Sequence, residues 1–287
     1  MRSFTSRREV LKLAGLGTIA AVSGHSVAQA NPDTAGISKI RKPAYQIGLA
    51  SYTTRKLDLD QTIAIAKQLK LECISIKQDF HLPMNKNPEE QKALAQKVRD
   101  SGLDFYACGV IYMKTADEVK RAFEFAKTVG IRVIVGVPNH ELLDLTEACC
   151  KEYDMVVAIH NHGPGDKLYP TAAGAYELIK NRDKRLGLCI DLGHTMRSGI
   201  NPAEEIVKVA DRLLDFHFKD VSAAEARGGT VEMGRGVIDI PAVVRALDKI
   251  GYDKLAAFEY EKDQDAPQVG LAESVGYLRG VIRTLQE

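Results

Sequence analysis

The chain has 287 residues, of which 45% are hydrophobic and 27% are charged, with 39 Lys and Arg residues against 38 Asp and Glu residues. This length is sufficient for one large α/β domain with a full hydrophobic core. The balanced charge argues against binding to nucleic acid through a basic surface, which needs a clear excess of Lys and Arg. The composition is too apolar for a disordered chain.

The first thirty residues have the features of an export signal. Residues 6–12 carry paired arginines, residues 13–22 form a short apolar stretch, and an A-x-A cleavage site ends at Ala30. The arginine pair resembles the twin-arginine export motif. We expect residues 1–30 to be a twin-arginine signal peptide and residues 31–43 a linker, with an amphipathic N-terminal helix as the alternative. The expected location is the periplasm or another exported compartment, reached through the twin-arginine machinery without a stable membrane anchor.

Beyond the linker, short apolar segments alternate with amphipathic segments to the end of the chain. The segments that predict strands are Ile47–Ser51, Cys73–Ile76, Phe105–Val110, Val133–Val137, Met155–His160, Leu186–Asp191, Leu214–Lys219 and Leu255–Glu259. The segments that predict helices are Leu59–Leu69, Pro88–Ser101, Ala116–Val129, Leu142–Tyr153, Thr171–Lys180, Pro202–Val209, Pro241–Ile250 and Ser274–Leu285.

This alternation of strands and helices favours one α/β architecture. Eight strand–helix units in about 250 residues are typical of a (β/α)8 TIM barrel. We therefore expect residues 44–287 to form a single-domain barrel. An open doubly wound sheet is the alternative, but it usually has a glycine-rich phosphate-binding turn after its first strand, where residues 51–55 here read SYTTR.

Polar side chains follow the last four predicted strands, at the ends where a barrel builds its active site. Taken singly, a histidine there is more often structural than a ligand, but four such motifs at successive strands are hard to explain by packing. Two imidazoles and two carboxylates form a mixed ligand set that suits one divalent Mn, Co, Zn or Fe ion better than Ca or Mg. The predicted metal ligands are His160, Asp191, His217 and Glu259.

Other polar and aromatic residues near these ends are expected at the mouth of the barrel. For Lys219 the alternative is an ion pair at the barrel rim with Asp220 or another carboxylate. Aromatic rings at the mouth would stack on a sugar face or pack at the rim. The predicted substrate-binding residues are His162, His194, Lys219, Arg235 and Glu261, with further mouth residues at Lys77 and His81 and aromatic rings at Tyr52, Phe80, Tyr112 and Tyr260.

Four motifs of the sequence carry a resemblance to a known family: Cys189–His194, His217–Asp220, Gly234–Asp239 and Phe258–Glu261. Over nearly all of the segment after residue 30, the sequence resembles the xylose-isomerase-like barrels, a family of sugar phosphate isomerases and epimerases. The resemblance implies that Asp191, His217 and Glu259 bind one divalent metal ion. It also implies that the motif beginning at Gly234 forms a loop near the site.

One position departs from the family pattern. Epimerases of the family carry a Glu at the end of strand five, commonly within E-N-H, where this chain has His160. In those enzymes two carboxylates exchange the proton from opposite sides of a ketose, so this replacement puts simple two-base epimerisation in doubt. An imidazole can bind the metal or act as acid or base, but it cannot do both through the same nitrogen.

The resemblance implies a metal-dependent isomerase or epimerase that forms an enediolate from a keto sugar. Glu259 is the expected proton-transfer carboxylate, with His160 as a second catalytic residue. The close alternative is an exported 3-keto-glycoside 1,2-lyase, which expels its aglycone from the same enediolate. Less favoured are an AP endonuclease, whose multi-metal cluster needs histidines where this chain offers only His81, and a non-catalytic sugar-binding barrel. The expected partner is a small carbohydrate and not nucleic acid.

Replacing Arg7 and Arg8 together with Lys is expected to keep the protein in the cytoplasm, because the export machinery recognises the arginine pair. Cell fractionation of the variant beside the unsubstituted protein measures the effect. Unchanged export of the variant would remove the twin-arginine assignment.

Overall fold

The computed structural model describes residues 42–285, so the predicted signal peptide and nearly all of the predicted linker lie outside the described residues. The strands are β1 (Gln46–Ala50), β2 (Cys73–Ile76), β3 (Asp104–Met113), β4 (Val133–Pro138), β5 (Val156–His160), β6 (Leu186–Asp191), β7 (Leu213–Phe218), β8 (Asp220–Val221), β9 (Thr230–Val231) and β10 (Leu255–Phe258). Strands β1 to β7 and β10 form a closed parallel barrel in which β10 lies between β7 and β1, while β8 and β9 form a small antiparallel hairpin. The predicted single TIM barrel is confirmed.

Helices alternate with the barrel strands, as the amphipathic pattern predicts. They are α1 (Leu59–Gln68), α2 (Gln78–His81), α3 (Pro88–Asp100), α4 (Ala116–Val129), α5 (Leu143–Tyr153), α6 (Ala172–Ile179), α7 (Leu192–Arg197), α8 (Pro202–Lys208), α9 (Ile240–Lys249) and α10 (Gln268–Leu285). The short helices α2 and α7 follow β2 and β6 directly and were not predicted. Helix α4 begins with a capping box between Thr115 and Glu118, as its sequence indicates.

Apolar side chains fill the barrel and the layer between its strands and helices. Strand β4 is buried at every position, which is why its sequence is apolar on successive residues. The side chain of Arg212 is also buried and donates four hydrogen bonds to backbone carbonyls of residues 180–186, tying the segment before β6 to the start of β7. Within residues 42–285, none of the helices is both long and apolar enough to cross a membrane.

One irregular step in strand pairing aligns the end of β6 with the end of β7. Leu188 pairs with Leu213, but the next residue of β6 pairs with Asp215, so β7 carries one extra residue between these two pairs. Beyond this step, Asp191 lies opposite His217. The register therefore places two ionisable side chains next to each other at the carboxyl end of the barrel.

Candidate metal centre and active site

Four neighbouring barrel strands bring ionisable side chains into one buried cluster. They are the last residues of β5 and β6, a residue near the end of β7, and the residue that follows β10: His160, Asp191, His217 and Glu259. Their exposed fractions are 1%, 0%, 2% and 5%, respectively. Since parallel strands all end at the same side of a barrel, the chain fold brings together the four residues that the sequence nominates as ligands.

The converging atoms are spaced like the ligands of a single metal ion. His160 Nε2 lies 3.1 Å from His217 Nδ1 and 3.8 Å from Asp191 Oδ2, and His217 Nδ1 lies 3.5 Å from Glu259 Oε2. In a tetrahedral site with bonds of ~2.0–2.1 Å, neighbouring ligand atoms are about 3.3 Å apart. One ligand atom from each of the four residues lies within 4.8 Å of the other three. This group of side chains can hold one divalent ion.

Lys219 lies inside this cluster and not at the barrel rim. Its Nζ is 2.9 Å from Asp191 Oδ2, 2.9 Å from Glu259 Oε2 and 3.3 Å from Glu261 Oε1, and its side chain is fully buried. The structure therefore pairs Lys219 with carboxylates, but Asp220 is not one of them. Direct contact of this ammonium with a substrate stays a prediction.

The charges of the cluster stabilise one another. Burial by itself raises the pKa of Asp191 and of Glu259, but the ammonium of Lys219 and the neighbouring imidazoles together outweigh burial and hold both pKa values below their ordinary range. Burial and neighbouring imidazoles lower the pKa of His160 well below its ordinary value. Burial also opposes the charged form of His217, yet the Glu259 carboxylate raises its pKa overall. Near neutral pH, His160 is neutral and both carboxylates are ionised, as metal ligands must be.

The residue between the two histidines of the H-N-H segment positions the end of β6. Asn161 accepts a hydrogen bond from the backbone N–H of Asp191 at 3.0 Å and donates one to Thr195 Oγ1 at 3.2 Å. Asp191 Oδ1 accepts from the backbone N–H of His194 at 2.7 Å and so caps α7. Because this oxygen is occupied by the helix cap, Oδ2 is the atom that Asp191 presents to the cluster. Asn161 was not predicted as a site residue, whereas its neighbours His160 and His162 were.

A cleft of about 440 Å³ opens over the cluster at the carboxyl end of the barrel. Of the four clustered residues, Glu259 is the one that lines this cleft, so a bound molecule has access to its carboxylate. The volume is within the range of small-molecule sites. Other predicted residues that line the cleft are Tyr52, Phe80, Tyr112, His162, His194 and Glu261.

The two histidines of the cleft are held by specific neighbours. His162 Nε2 lies 3.1 Å from the hydroxyl of Tyr112, and the two rings stack with centroids 5.5 Å apart. The guanidinium of Arg197 donates to His194 Nδ1 at 3.3 Å, which leaves the proton of this imidazole on Nε2. Burial lowers the pKa of His194 to about 4, so this ring is neutral at pH 7 and can donate a hydrogen bond from Nε2. Nothing in the sequence pattern pointed to Arg197.

The structure places two of the predicted mouth residues elsewhere. Arg235 forms a two-pronged ion pair with Glu273, at 2.8 Å for Nη2 to Oε2, and its side chain is 62% exposed outside the cleft. Tyr260 is buried, and its hydroxyl donates to Glu232 Oε1 at 2.8 Å. The structure therefore places both side chains outside the cleft lining. For Tyr260 it favours packing over stacking on a sugar, and the substrate contact of Arg235 stays a prediction. Tyr260 follows Glu259 directly and extends to the opposite side of the backbone.

The two predicted residues after β2 have different environments. Lys77 lines the cleft, but its ammonium contacts the carbonyl of Val110 and lies 2.8 Å from Asp79 Oδ2. His81 is enclosed, with Nδ1 2.9 Å from Ser51 Oγ and Nε2 close to backbone carbonyls, so it is a structural residue. The part of the chain that the structure describes thus offers ligands for one metal centre only.

Asp220 organises the glycine-containing loop after β9. Its Oδ2 accepts hydrogen bonds from the backbone N–H groups of Gly234 and Gly236, at 2.9 and 3.1 Å. Its Oδ1 accepts from those of Val221 and Ile238, at 2.8 and 3.3 Å. A Cβ atom at position 236 would lie 2.1 Å from Oδ1, so this position requires glycine. The H-x-K-D and G-x-G-x-I-D motifs therefore form one structural unit.

The protein is a (β/α)8 barrel with a buried cluster of nitrogen and oxygen atoms, able to hold one divalent ion, beneath a cleft. The sequence model of the xylose isomerase-like TIM barrel family matches residues 45–281. The chain belongs to this family. Its resemblance to the family, inferred from four motifs, is thereby confirmed over nearly the whole described segment.

Curated relatives match parts of the chain. The rhizopine catabolism protein MocC of Rhizobium meliloti is 29% identical over 140 residues, which are 44% of this chain and 42% of that protein. Inosose dehydratase of Lacticaseibacillus casei is 27% identical over 128 residues, which are 39% of this chain and 43% of that protein. The matches therefore span less than half the length of these relatives.

Solved structures share the barrel at lower sequence identity. The IolI protein with a bound zinc atom is 18% identical with a TM-score of 0.68, covering 83% of this chain and 98% of that one. The 3-keto-D-glucoside 4-epimerase YcjR from E. coli is 18% identical with a TM-score of 0.64, covering 82% of this chain and 99% of that one. At these identities the likeness shows the fold alone.

Replacing Asp220 with Ala is expected to lower the free energy of unfolding by about 2–4 kcal/mol, because several backbone N–H groups lose a charged acceptor. Asp239→Ala is the matched control, since this carboxylate caps α9 through one bond to the backbone of Ala242 and its loss is expected to cost about 1 kcal/mol. Urea unfolding of both variants measures the difference. Equal stability of the two would contradict the organising role of Asp220.

Proposed function

We propose that the protein is a divalent-metal-dependent isomerase or epimerase that acts on a keto sugar through an enediolate. The observation that carries this proposal is the convergence of two imidazoles and two carboxylates beneath a cleft of small-molecule size. Epimerases and a dehydratase are among the proteins that this chain resembles. Removal of a proton beside a carbonyl group is a step that such reactions have in common.

The donor set fits a divalent ion such as Mn, Co, Zn or Fe. Imidazole nitrogen and carboxylate oxygen together suit these ions, whereas Ca and Mg prefer oxygen alone. Cys189 also offers a sulfur atom to the two imidazoles, but burial raises the pKa of this thiol well above its ordinary value and keeps it a poor ligand. The zinc atom of IolI supports a metal in this family's barrel. When bound, the ion would stabilise negative charge on a carbonyl oxygen.

The side chains of the cluster have distinct tasks in this proposal. Glu259 lines the cleft and takes the proton from carbon, while Lys219 and His217 hold its Oε2 at 2.9 and 3.5 Å. Asp191 is a ligand through Oδ2, because its other oxygen caps α7. His160 presents Nε2 to the cluster, and its Nδ1 is buried without a partner among the described residues, so the ligand role is favoured over an acid or base role.

Elimination from the same enediolate is the second candidate, as in a 3-keto-glycoside 1,2-lyase. The observation that favours it is the histidine at position 160, where two-base epimerases carry a carboxylate. Near Glu259 in the cleft lies the imidazole of His194, whose Nε2–H can donate to a departing oxygen. The relationship to inosose dehydratase also supports elimination, since loss of water is a reaction of this type.

Export by the twin-arginine route stays a proposal that rests on residues 1–30, outside the described part of the chain. That route carries folded proteins, so the metal ion would be loaded before export. An exported enzyme seldom meets sugar phosphates, which favours an unphosphorylated carbohydrate as substrate.

Replacing His217 with Ala is expected to lower the affinity for Zn or Mn by on the order of 100-fold or more, because one of four ligands is lost. His140→Ala is the matched control, since this histidine is exposed and bonds to the carbonyl of Leu168 outside the cluster. Elemental analysis after dialysis and titration against a competing chelator measure the affinities. The metal centre would be contradicted if the wild-type protein bound no metal after loading, or if His217→Ala retained all of its metal.

Replacing Glu259 with Gln is expected to slow exchange of the carbon-bound proton with D2O by about 10²–10⁴-fold, because the amide cannot accept that proton. Glu152→Gln, which changes an exposed glutamate of α5 outside the cleft, is the control and is expected to retain the exchange. Mass spectrometry or NMR of the sugar follows the label with free ketoses and 3-keto-glucosides as substrates.

The products of that assay separate the two candidate reactions. A labelled epimer or isomer supports the first, and release of the aglycone with free ketoses unchanged supports the lyase. No label and no product from either group of sugars would eliminate enolisation as the function.

A further inference from the structure

We propose that a second cavity beside the catalytic cleft binds a neutral sugar ring joined to the reacting one, so that the substrate is a glycoside of at least two sugar rings. The choice of which ring reacts rests on the proposed function, but binding in the cavity does not. The cavity measures about 540 Å³, and Asp79 and Tyr112 line both it and the cleft. A ligand that passes these two residues would occupy both spaces.

The boundary between the second cavity and the cleft is formed by the end of β3 and by α2, both of which lie beyond the predicted strand ends. Strand β3 extends to Met113, three residues further than its apolar segment predicts, and leaves Tyr112 at its end 45% exposed. On the cleft side, the hydroxyl of Tyr112 contacts His162. The short helix α2 supplies Asp79, the other residue that lines both spaces. The ring of Tyr112 stacks on His162 and has Lys114 Nζ 5.9 Å from its centroid, so a sugar ring would pack against the part of the ring that stays exposed.

Arg121 is the charged group of the cavity that lacks a partner. The carboxylate of Asp79 is 2.8 Å from the ammonium of Lys77 and accepts from the Gln78 amide. The carboxylate of Glu118 accepts from backbone N–H groups at the start of α4. For Arg121, by contrast, residues 42–285 provide neither a hydrogen bond nor an ion pair, although it lines the cavity. Its five N–H donors are therefore available to a ligand.

The lining indicates the chemical class of the occupant. Met84, Ile111 and Tyr112 offer apolar surface, while Asn85 and Arg121 offer hydrogen-bonding groups. A ring with an apolar face and a rim of hydroxyl groups matches this mixture. The positive charge of Arg121 is balanced by the carboxylate of Glu118 in the same lining, which favours a neutral sugar over an anion.

Binding of unoxidised sugars to the metal-loaded full chain tests this inference without any reaction. Isothermal titration compares cellobiose, lactose and maltose with glucose, and at least one disaccharide is expected to bind about 10-fold more tightly. Arg121→Met is expected to remove this gain and leave glucose binding unchanged. Arg245→Met, which alters an exposed arginine of α9 outside both spaces, is expected to change neither affinity.

Three results would overturn the second sugar site. They are equal binding of glucose and all three disaccharides, equal behaviour of the Arg121 and Arg245 variants, and tighter binding of phenyl β-glucoside than of any disaccharide, which would indicate an aromatic occupant. The outcome also separates the two proposals. Disaccharide binding without proton exchange removes the reaction and keeps the cavity, whereas exchange with no preference for disaccharides removes the cavity assignment alone.

Discussion

The site depends on one interaction, the pairing of the buried Lys219 ammonium with the carboxylates of Asp191 and Glu259. Two carboxylates at 0% and 5% exposure cannot stay ionised inside a barrel unless an opposite charge accompanies them. Lys219 follows His217 by two residues, so strand alternation directs both side chains to the same face. The single segment H-x-K therefore supplies an imidazole donor and the charge that stabilises Asp191 and Glu259. The remaining polar groups of the cluster are arranged around the ion pairs of Lys219 with Asp191 and Glu259.

The sequence predicts the fold and the four clustered residues because both follow from short-range rules. Apolar segments locate the barrel strands, and His160 and Asp191 are the last residues of theirs, so the topology alone brings them together. Beyond the strands the direction of a side chain depends on loop geometry, which no local pattern encodes. Arg235 is an example, since its neighbours donate their N–H groups to Asp220 and its side chain turns to Glu273.

The same limit explains why His81 and Lys219 differ from their expected surroundings. His81 belongs to a one-turn helix that has no periodic signal in the sequence, and this helix encloses the ring against Ser51. Lys219 was predicted to contact substrate, with an ion pair at the barrel rim as the alternative, whereas the structure buries it against three carboxylates. Only the positions of Asp191 and Glu259 in space show that a cation belongs there. Long-range charge balance is a property of the assembled barrel.

The extra residue of β7 has a consequence for how this family of sites can change. It lies between the partners of Leu188 and of the residue that follows. If the two strands paired evenly beyond Leu188 and Leu213, with Leu214 opposite the next residue of β6, Asp191 would lie beside Phe216. Every later side chain of β7 would then exchange the inside of the barrel for the outside. A one-residue shift in strand pairing thus separates a barrel that has the buried cluster from one of the same fold that lacks it. Insertions and deletions, more than substitutions, are the abrupt route by which such a barrel would lose its chemistry.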